Sequence, residues 1–155
     1  MIPDLTLAYV AGLFDGEGSI VIGCSKRTLT SGNPTAHYWL QVGITNTDRE
    51  LIDWLHITFG GHISDNSHSP SRKRMRPCWA WRVMSREAKA FLESITPYLR
   101  SKKAQAAIAI DFQQLITAHG SNSRNYTAEA IALRESYRQR LRSLTLGQHS
   151  LPSVE

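Results

Sequence analysis

Two carboxylates stand two residues apart at Asp15 and Glu17, with Gly16 between them and Gly18 directly after. They close the stretch Leu-Ala-Tyr-Val-Ala-Gly-Leu-Phe-Asp-Gly-Glu-Gly-Ser-Ile, residues 7–20. Its apolar first half predicts a helix ending near Asp15, and the glycines suit a sharp exit into a strand. Unpaired carbonyls already make a helix C-terminus negative, so acids there work against stability. Carboxylates beside bare carbonyl oxygens are, however, the donor set of a hard divalent cation. The plainer alternative, a packed helix and a Gly-rich turn, accounts for the glycines but not for both acids.

A second chemistry lies in the cations. Lysine and arginine number 18 against 13 acids, giving a formal charge of +5 and a pI near 9.5. They cluster at Lys26-Arg27, at Arg72-Lys73-Arg74-Met75-Arg76 and at Arg100-Ser101-Lys102-Lys103. Clustering of this kind favours a nucleic acid partner over mere solubility. Cys24 and Cys78 form no metal-ligand spacing and read as reduced and structural, and the six histidines are scattered. No window has transmembrane length and no signal or transit peptide is evident. The expectation is a soluble, intracellular protein of a prokaryotic cytoplasm or an organelle matrix, with no membrane partner. The 155 residues suit one domain, expected over 1–146, with 147–155 a flexible tail.

The elements that must position these groups follow from periodicity. Asp4 or Thr6 is expected to cap the first helix. Four-residue spacing puts Ala8, Gly12 and Gly16 on one face, where a second backbone can come close, with Val10, Leu13 and Phe14 as apolar bulk around it. From Gly18 the period becomes two: Ile20, Ile22 and Cys24 on one face, Ser19, Val21, Gly23, Ser25 and Arg27 on the other. After a loop at 31–34, a strand over about 37–46 sets Tyr38, Leu40, Val42 and Ile44 against Trp39, Gln41, Gly43 and Thr45. Its polar face, with Arg27, Trp39 and Gln41, could meet water or read base edges and phosphates. Thr47 to Glu50 resembles a capping box for a helix ending at Gly60-Gly61. Strands follow over 62–66 and 78–84 around a Ser- and Arg-rich loop, 67–77. A helix from Ser85 to Ile95 is broken by Pro97, another runs from Lys102 through Ala118, and 120–125 is a linker. A polar, Arg-rich last helix spans 127–144. This order is α+β: helix, hairpin, helix, hairpin, helices, with one antiparallel sheet.

Residues Val10-Ala11-Gly12-Leu13-Phe14-Asp15-Gly16-Glu17-Gly18 resemble, position for position, the signature of the LAGLIDADG homing endonucleases. The resemblance implies a saddle-shaped DNA-binding sheet and, with one motif copy, a homodimer. The two motif helices would pack at its centre through Ala8, Ala11, Gly12 and Asp15. Glu17 would bind the catalytic metal, Mg²⁺ or Mn²⁺, beside the Gly16 carbonyl, although Asp is the commoner acid at this position. Asp15 would be structural, stabilising the turn. Pro97-Tyr98-Leu99-Arg100-Ser101-Lys102 is similar to the family segment that carries an active-site lysine, which nominates Lys102. Asn46 and Arg49 lie where the family has a water-ordering polar residue and a second basic residue. The structural alternatives are an exposed helix-start lysine, a helix cap and a surface charge, respectively. The implied activity is intron homing: two-metal hydrolysis that makes a double-strand break in a long, near-palindromic duplex.

For DNA reading, alternate side chains of an antiparallel ribbon can face bases in the major groove. That nominates Ser25, Arg27, Gln41, Asn66 and Arg82, with Lys26, Arg72, Lys73, Arg74 and Arg76 for phosphate or outer base pairs. Two other readings stand beside the nuclease. One is a cleavage-deficient or bifunctional nucleic-acid-binding module, an intron maturase that takes intron RNA or a DNA-binding regulator. The other is an α+β protein whose acidic turn holds a structural metal.

Overall fold

In the computed structural model, residues 1–28, 34–66, 76–118 and 127–147 are described. Helix α1 (Asp4–Glu17) runs directly into strand β1 (Gly18–Thr28), which turns back as β2 (Pro34–Asn46). Helix α2 (Arg49–Phe59) leads to the short β3 (His62–Asp65) and to β4 (Trp79–Met84). Helix α3 (Ser85–Ile95), a 3₁₀ turn at Thr96–Tyr98, α4 (Lys103–Ala118) and α5 (Ala128–Gly147) complete the chain. The four strands form one antiparallel sheet in the order β1-β2-β4-β3.

The period of two decides what this sheet buries. Ile20, Ile22, Leu40, Val42, Ile44, Trp81 and Val83 alternate onto the face covered by helices. There they join Val10, Phe14, Ile52, Leu55, Phe91, Leu92, Ile95 and Phe112 in one core. Phe91 stands edge-on to Phe14, Phe59 and Trp81 at centroid distances of 5.0–5.6 Å, ring geometry that adds to burial. The Trp81 indole N–H, which burial would otherwise orphan, donates to the Gly60 carbonyl at 2.8 Å. Gly60 and Gly61 end α2 at φ +72° and +79°, where only glycine is unstrained. The opposite face, with Ser19, Val21, Gln41, Thr45 and Arg82, is exposed or half-buried.

Several local expectations need correction. Pro3, not Asp4 or Thr6, precedes α1, and no side chain caps it. Asp4 instead opens the helix, where its charge suits the positive end. Helix α1 also continues past Asp15 to Glu17. Asp48 rather than Thr47 caps α2, accepting the Leu51 N–H at 3.2 Å. Pro34, placed in a loop, opens β2 opposite Thr28. Helix α5 ends at Gly147 rather than near 144, with the Thr127 hydroxyl accepting the Ala130 N–H. The expected tail beyond 147, the linker at 120–125 and most of the basic loop at 67–77 lie outside the described residues.

Candidate active site

The site forms where α1 becomes β1 without a loop. Gly18 N–H donates to the Phe14 carbonyl, and the Phe14 ring occupies the space of a Gly18 side chain, 2.2 Å from where a Cβ would stand. Any other residue at 18 would displace the buried ring. Glu17, the last helical residue, is thereby left exposed at the helix end.

Pairing of Gly18 with Ile44 carries the end of β2 past the start of β1, and Asn46 meets Glu17. The Asn46 amide nitrogen donates to Glu17 Oε2 at 2.5 Å, while its Oδ1 accepts the Asp48 N–H at 2.8 Å. The backbone donor fixes which way the amide points, because only its oxygen can accept that proton. Asn46 therefore both shapes the entry to α2 and holds the Glu17 carboxylate.

Asp15 resolves the puzzle of an acid at the wrong helix end. Its carboxylate accepts Arg100 N–H at 2.7 Å, Ser101 N–H at 3.2 Å, Ser101 O–H at 3.0 Å and Lys102 N–H at 3.0 Å. Asp15, in the last turn of α1, thus sits at the start of α4, where orphan N–H groups and the helix dipole favour it. Burial works against its charge, but these hydrogen bonds outweigh it and hold the Asp15 carboxyl below its usual value. The turn it stabilises is therefore not its own but one 85 residues further along.

The Lys102 ammonium returns the contact, donating to the Asp15 backbone carbonyl at 2.5 Å. Partial burial lowers the Lys102 pKa, against the opposing pull of the Asp15 charge. Arg49 is occupied elsewhere: it pairs with Asp53 at 2.9 Å and lies over the Trp79 ring at 5.7 Å.

Among the described residues no three His, Cys, Asp or Glu side chains group as a metal cage. One protomer offers the exposed Glu17 carboxylate beside the helix-terminal Gly16 carbonyl. That set fits a Mg²⁺-type ion, which keeps several waters and takes only one or two carboxylates.

Of the residues nominated for a dimer seam, Ala8 and Gly12 are exposed, and a Cβ at Gly12 or Gly16 meets nothing within 4 Å. Ala11 is fully buried inside the protomer, and Asp15, half-buried, has its carboxylate engaged with the segment that opens α4. Leu5, 86% exposed, and Tyr9 continue the same uncovered stripe. Sequence reasoning missed both, although Leu5 lies three residues before Ala8 and Tyr9 three before Gly12.

On the sheet, Ser25 and Gln41 are half-buried on the outer face, and Arg82 there donates to the Ser64 hydroxyl at 2.5 Å. Lys26 and Arg76 are exposed. Lys26, opposite Ala36, alternates to the other side from Ser25. Asn66 lies just past β3, with its N–H on the Cys78 carbonyl at 3.0 Å. Arg27 pairs with Thr35 in β1, but its side chain, like all of Arg72, Lys73 and Arg74, falls outside the described residues. No described helix is long and apolar enough to cross a membrane.

No family model matches the chain, and no curated protein matches it. Solved structures do. The homing endonuclease I-CvuI, in complex with DNA, is 16% identical over 95% of this chain and 86% of its own, with a TM-score of 0.73. The archaeal intron-encoded homing endonuclease I-Vdi141I, complexed with DNA, is 14% identical over 98% and 90%, with a TM-score of 0.72. The meganuclease I-SmaMI, bound to DNA, is 18% identical over 90% of this chain but 45% of its own, with a TM-score of 0.63. By its order of elements and the architecture it shares with these proteins, the chain has the fold of the LAGLIDADG homing endonucleases.

Proposed function

We propose that the chain is a divalent-metal-dependent, site-specific DNA endonuclease that acts as a homodimer. The observation that carries this reading is the convergence of Glu17, Asn46 and Lys102 at the end of α1. Three elements distant in sequence deliver a carboxylate, a fixed amide and a partly desolvated ammonium to one helix end. Bound at Glu17 and the Gly16 carbonyl, Mg²⁺ or Mn²⁺ would lower the pKa of an attacking water and offset charge on the leaving 3′ oxygen. Asn46 holds the carboxylate and is placed to order a water. Lys102 contributes positive charge toward the scissile phosphate.

A single Glu17 serves one strand, so cutting both strands requires a second copy. The uncovered stripe of Leu5, Ala8, Tyr9, Gly12 and Gly16 supports pairing through α1. The match of this chain to less than half of I-SmaMI supports the same arrangement. The target is long duplex DNA laid along the outer face of the sheet, the DNA-bound neighbours and the basic composition supporting that partner.

Incubating the protein with a randomised duplex library and Mg²⁺, then sequencing new ends, tests this. Specific double-strand ends from the wild type and none from Glu17→Gln, with duplex still retained, are expected. Retention of specific duplex with no cutting by the wild type would replace the nuclease with a binding module, and neither cutting nor retention would make intron RNA the next partner to assay.

A further inference from the structure

The strand register places Val21, Gln41 and Met84 in one row across the outer face, Val21 opposite Gln41 on β1 and Met84 opposite it on β4. Val21 is 44% and Met84 40% exposed, so the fold leaves two apolar side chains in water beside a central amide. Among the described residues no protein group takes up the Gln41 side chain. Two residues along β2 on the same face, Trp39 lies across Gly23: a Cβ there would stand 2.2 Å from the indole. His37 stacks on that indole at 5.6 Å and 25° between planes. Trp39 is therefore held in place beside the row and extends its apolar surface.

We infer that this row selects A·T base pairs, an inference that rests on the duplex-binding reading above. In the major groove the 5-methyl of thymine is the apolar feature of the base edges, and an amide side chain matches adenine by donating to N7 and accepting from N6–H. Gln41 supplies that amide. Val21 and Met84, on strands about 4.8 Å to either side, cover thymine methyls of the same or the adjoining pair. A row built for G·C would carry Arg or Lys at the centre, to donate to guanine O6 and N7.

The test uses the full-length protein and its selected duplex, with each thymine replaced in turn by deoxyuridine. That exchange removes a methyl and no hydrogen-bonding group. At one or two positions in each half-site Kd should rise about four-fold, the effect of exposing one buried methyl. The penalty at those positions should shrink in Val21→Thr or in Met84→Thr, and Gln41→Ala should lose its preference for adenine there. Two variants on different strands guard against misfolding of either. Specific binding that tolerates uracil at every thymine overturns the inference and leaves the duplex-binding reading standing. A penalty that persists unchanged in both variants also overturns it, because other residues then make the methyl contact. Absence of any sequence-specific duplex binding overturns both readings together.

Discussion

Asp15 grips Lys102 at both ends of the lysine: its carboxylate accepts the Lys102 backbone N–H at 3.0 Å, and its backbone carbonyl accepts the ammonium. One residue thus fixes where α4 begins and where the ammonium of Lys102, just before the helix, points. Asp15→Ala should cost about 1–2 kcal/mol, the loss of a helix cap, and should slow cleavage while duplex affinity holds. Asp15→Asn keeps one accepting oxygen and should recover part of both. Thermal unfolding and single-turnover cleavage read the two effects. Wild-type melting and wild-type cutting in Asp15→Ala would dismiss the coupling.

Asn46 meets Glu17 through an amide whose orientation the Asp48 N–H dictates. Asn46→Ala should lower the cleavage rate on the order of 10²-fold with duplex affinity nearly unchanged. Gel-shift titration beside a cleavage time course separates the two. A loss confined to affinity would move Asn46 from the chemistry to binding.

Gly12 lies on an uncovered helix face, where nothing of the protomer would touch a Cβ. For an isolated protomer, Gly12→Ala should then raise stability by about 0.5–1 kcal/mol. If α1 packs against a second α1, the larger Gly12→Leu should instead halve the mass measured by light scattering. A Gly12→Leu protein that keeps its dimer mass would place the seam elsewhere.

The Tyr38 hydroxyl donates to Glu135 at 2.8 Å, tying β2 to α5. Burial, then the Glu135 carboxylate and Cys24, push the Tyr38 pKa well above its usual 10.0. Burial opposes the Glu135 charge, but hydrogen bonds from Tyr38 and Arg138 outweigh it and hold that carboxyl below its usual 4.5. For Tyr38, the raised folded pKa means stability fully present below pH 10.0 and lost as pH rises through the folded value. For Glu135, the depressed folded pKa means stability present above pH 4.5 and lost as pH falls through the folded value. Tyr38→Phe should therefore flatten both edges of a stability-against-pH curve from urea unfolding and cost about 1 kcal/mol near neutrality, solvent screening included. Unchanged edges would assign the pH dependence to other groups.

What was legible in the sequence was whatever local pattern decides. Alternation named the buried row of Tyr38, Leu40, Val42 and Ile44, and Ser85 and Ile95 bound α3 where the pattern put them. The motif placed Glu17 at the helix end. The capping of α2 failed by one residue because Thr47 and Asp48 are both good caps, and the Asn46–Asp48 turn chose between them. Asp15 looked wrong for a helix C-terminus because no local rule sees that Lys102, 87 residues later, leads into another helix beside it. Ala11 belongs to the motif yet faces inward. Only the packing of α1 distinguishes the buried part of an apolar helix from the part left open, since residues on both sides are small or apolar.

The β1–β2 arm has one further consequence. Glu17 precedes its first rung, Gly18 with Ile44, and its last rung pairs Thr28 with Pro34. Ten residues of strand separate those ends, about 33 Å at 3.3 Å per residue. Ser25 and His37, paired seven residues along β1 from Gly18, can be exchanged without touching Glu17, Asn46 or Lys102. Under the proposed function, the far half of this arm could be rewritten one residue at a time while the constellation of Glu17, Asn46 and Lys102 stays as it is, so that a lineage would reach new target sequences without passing through an inactive ancestor.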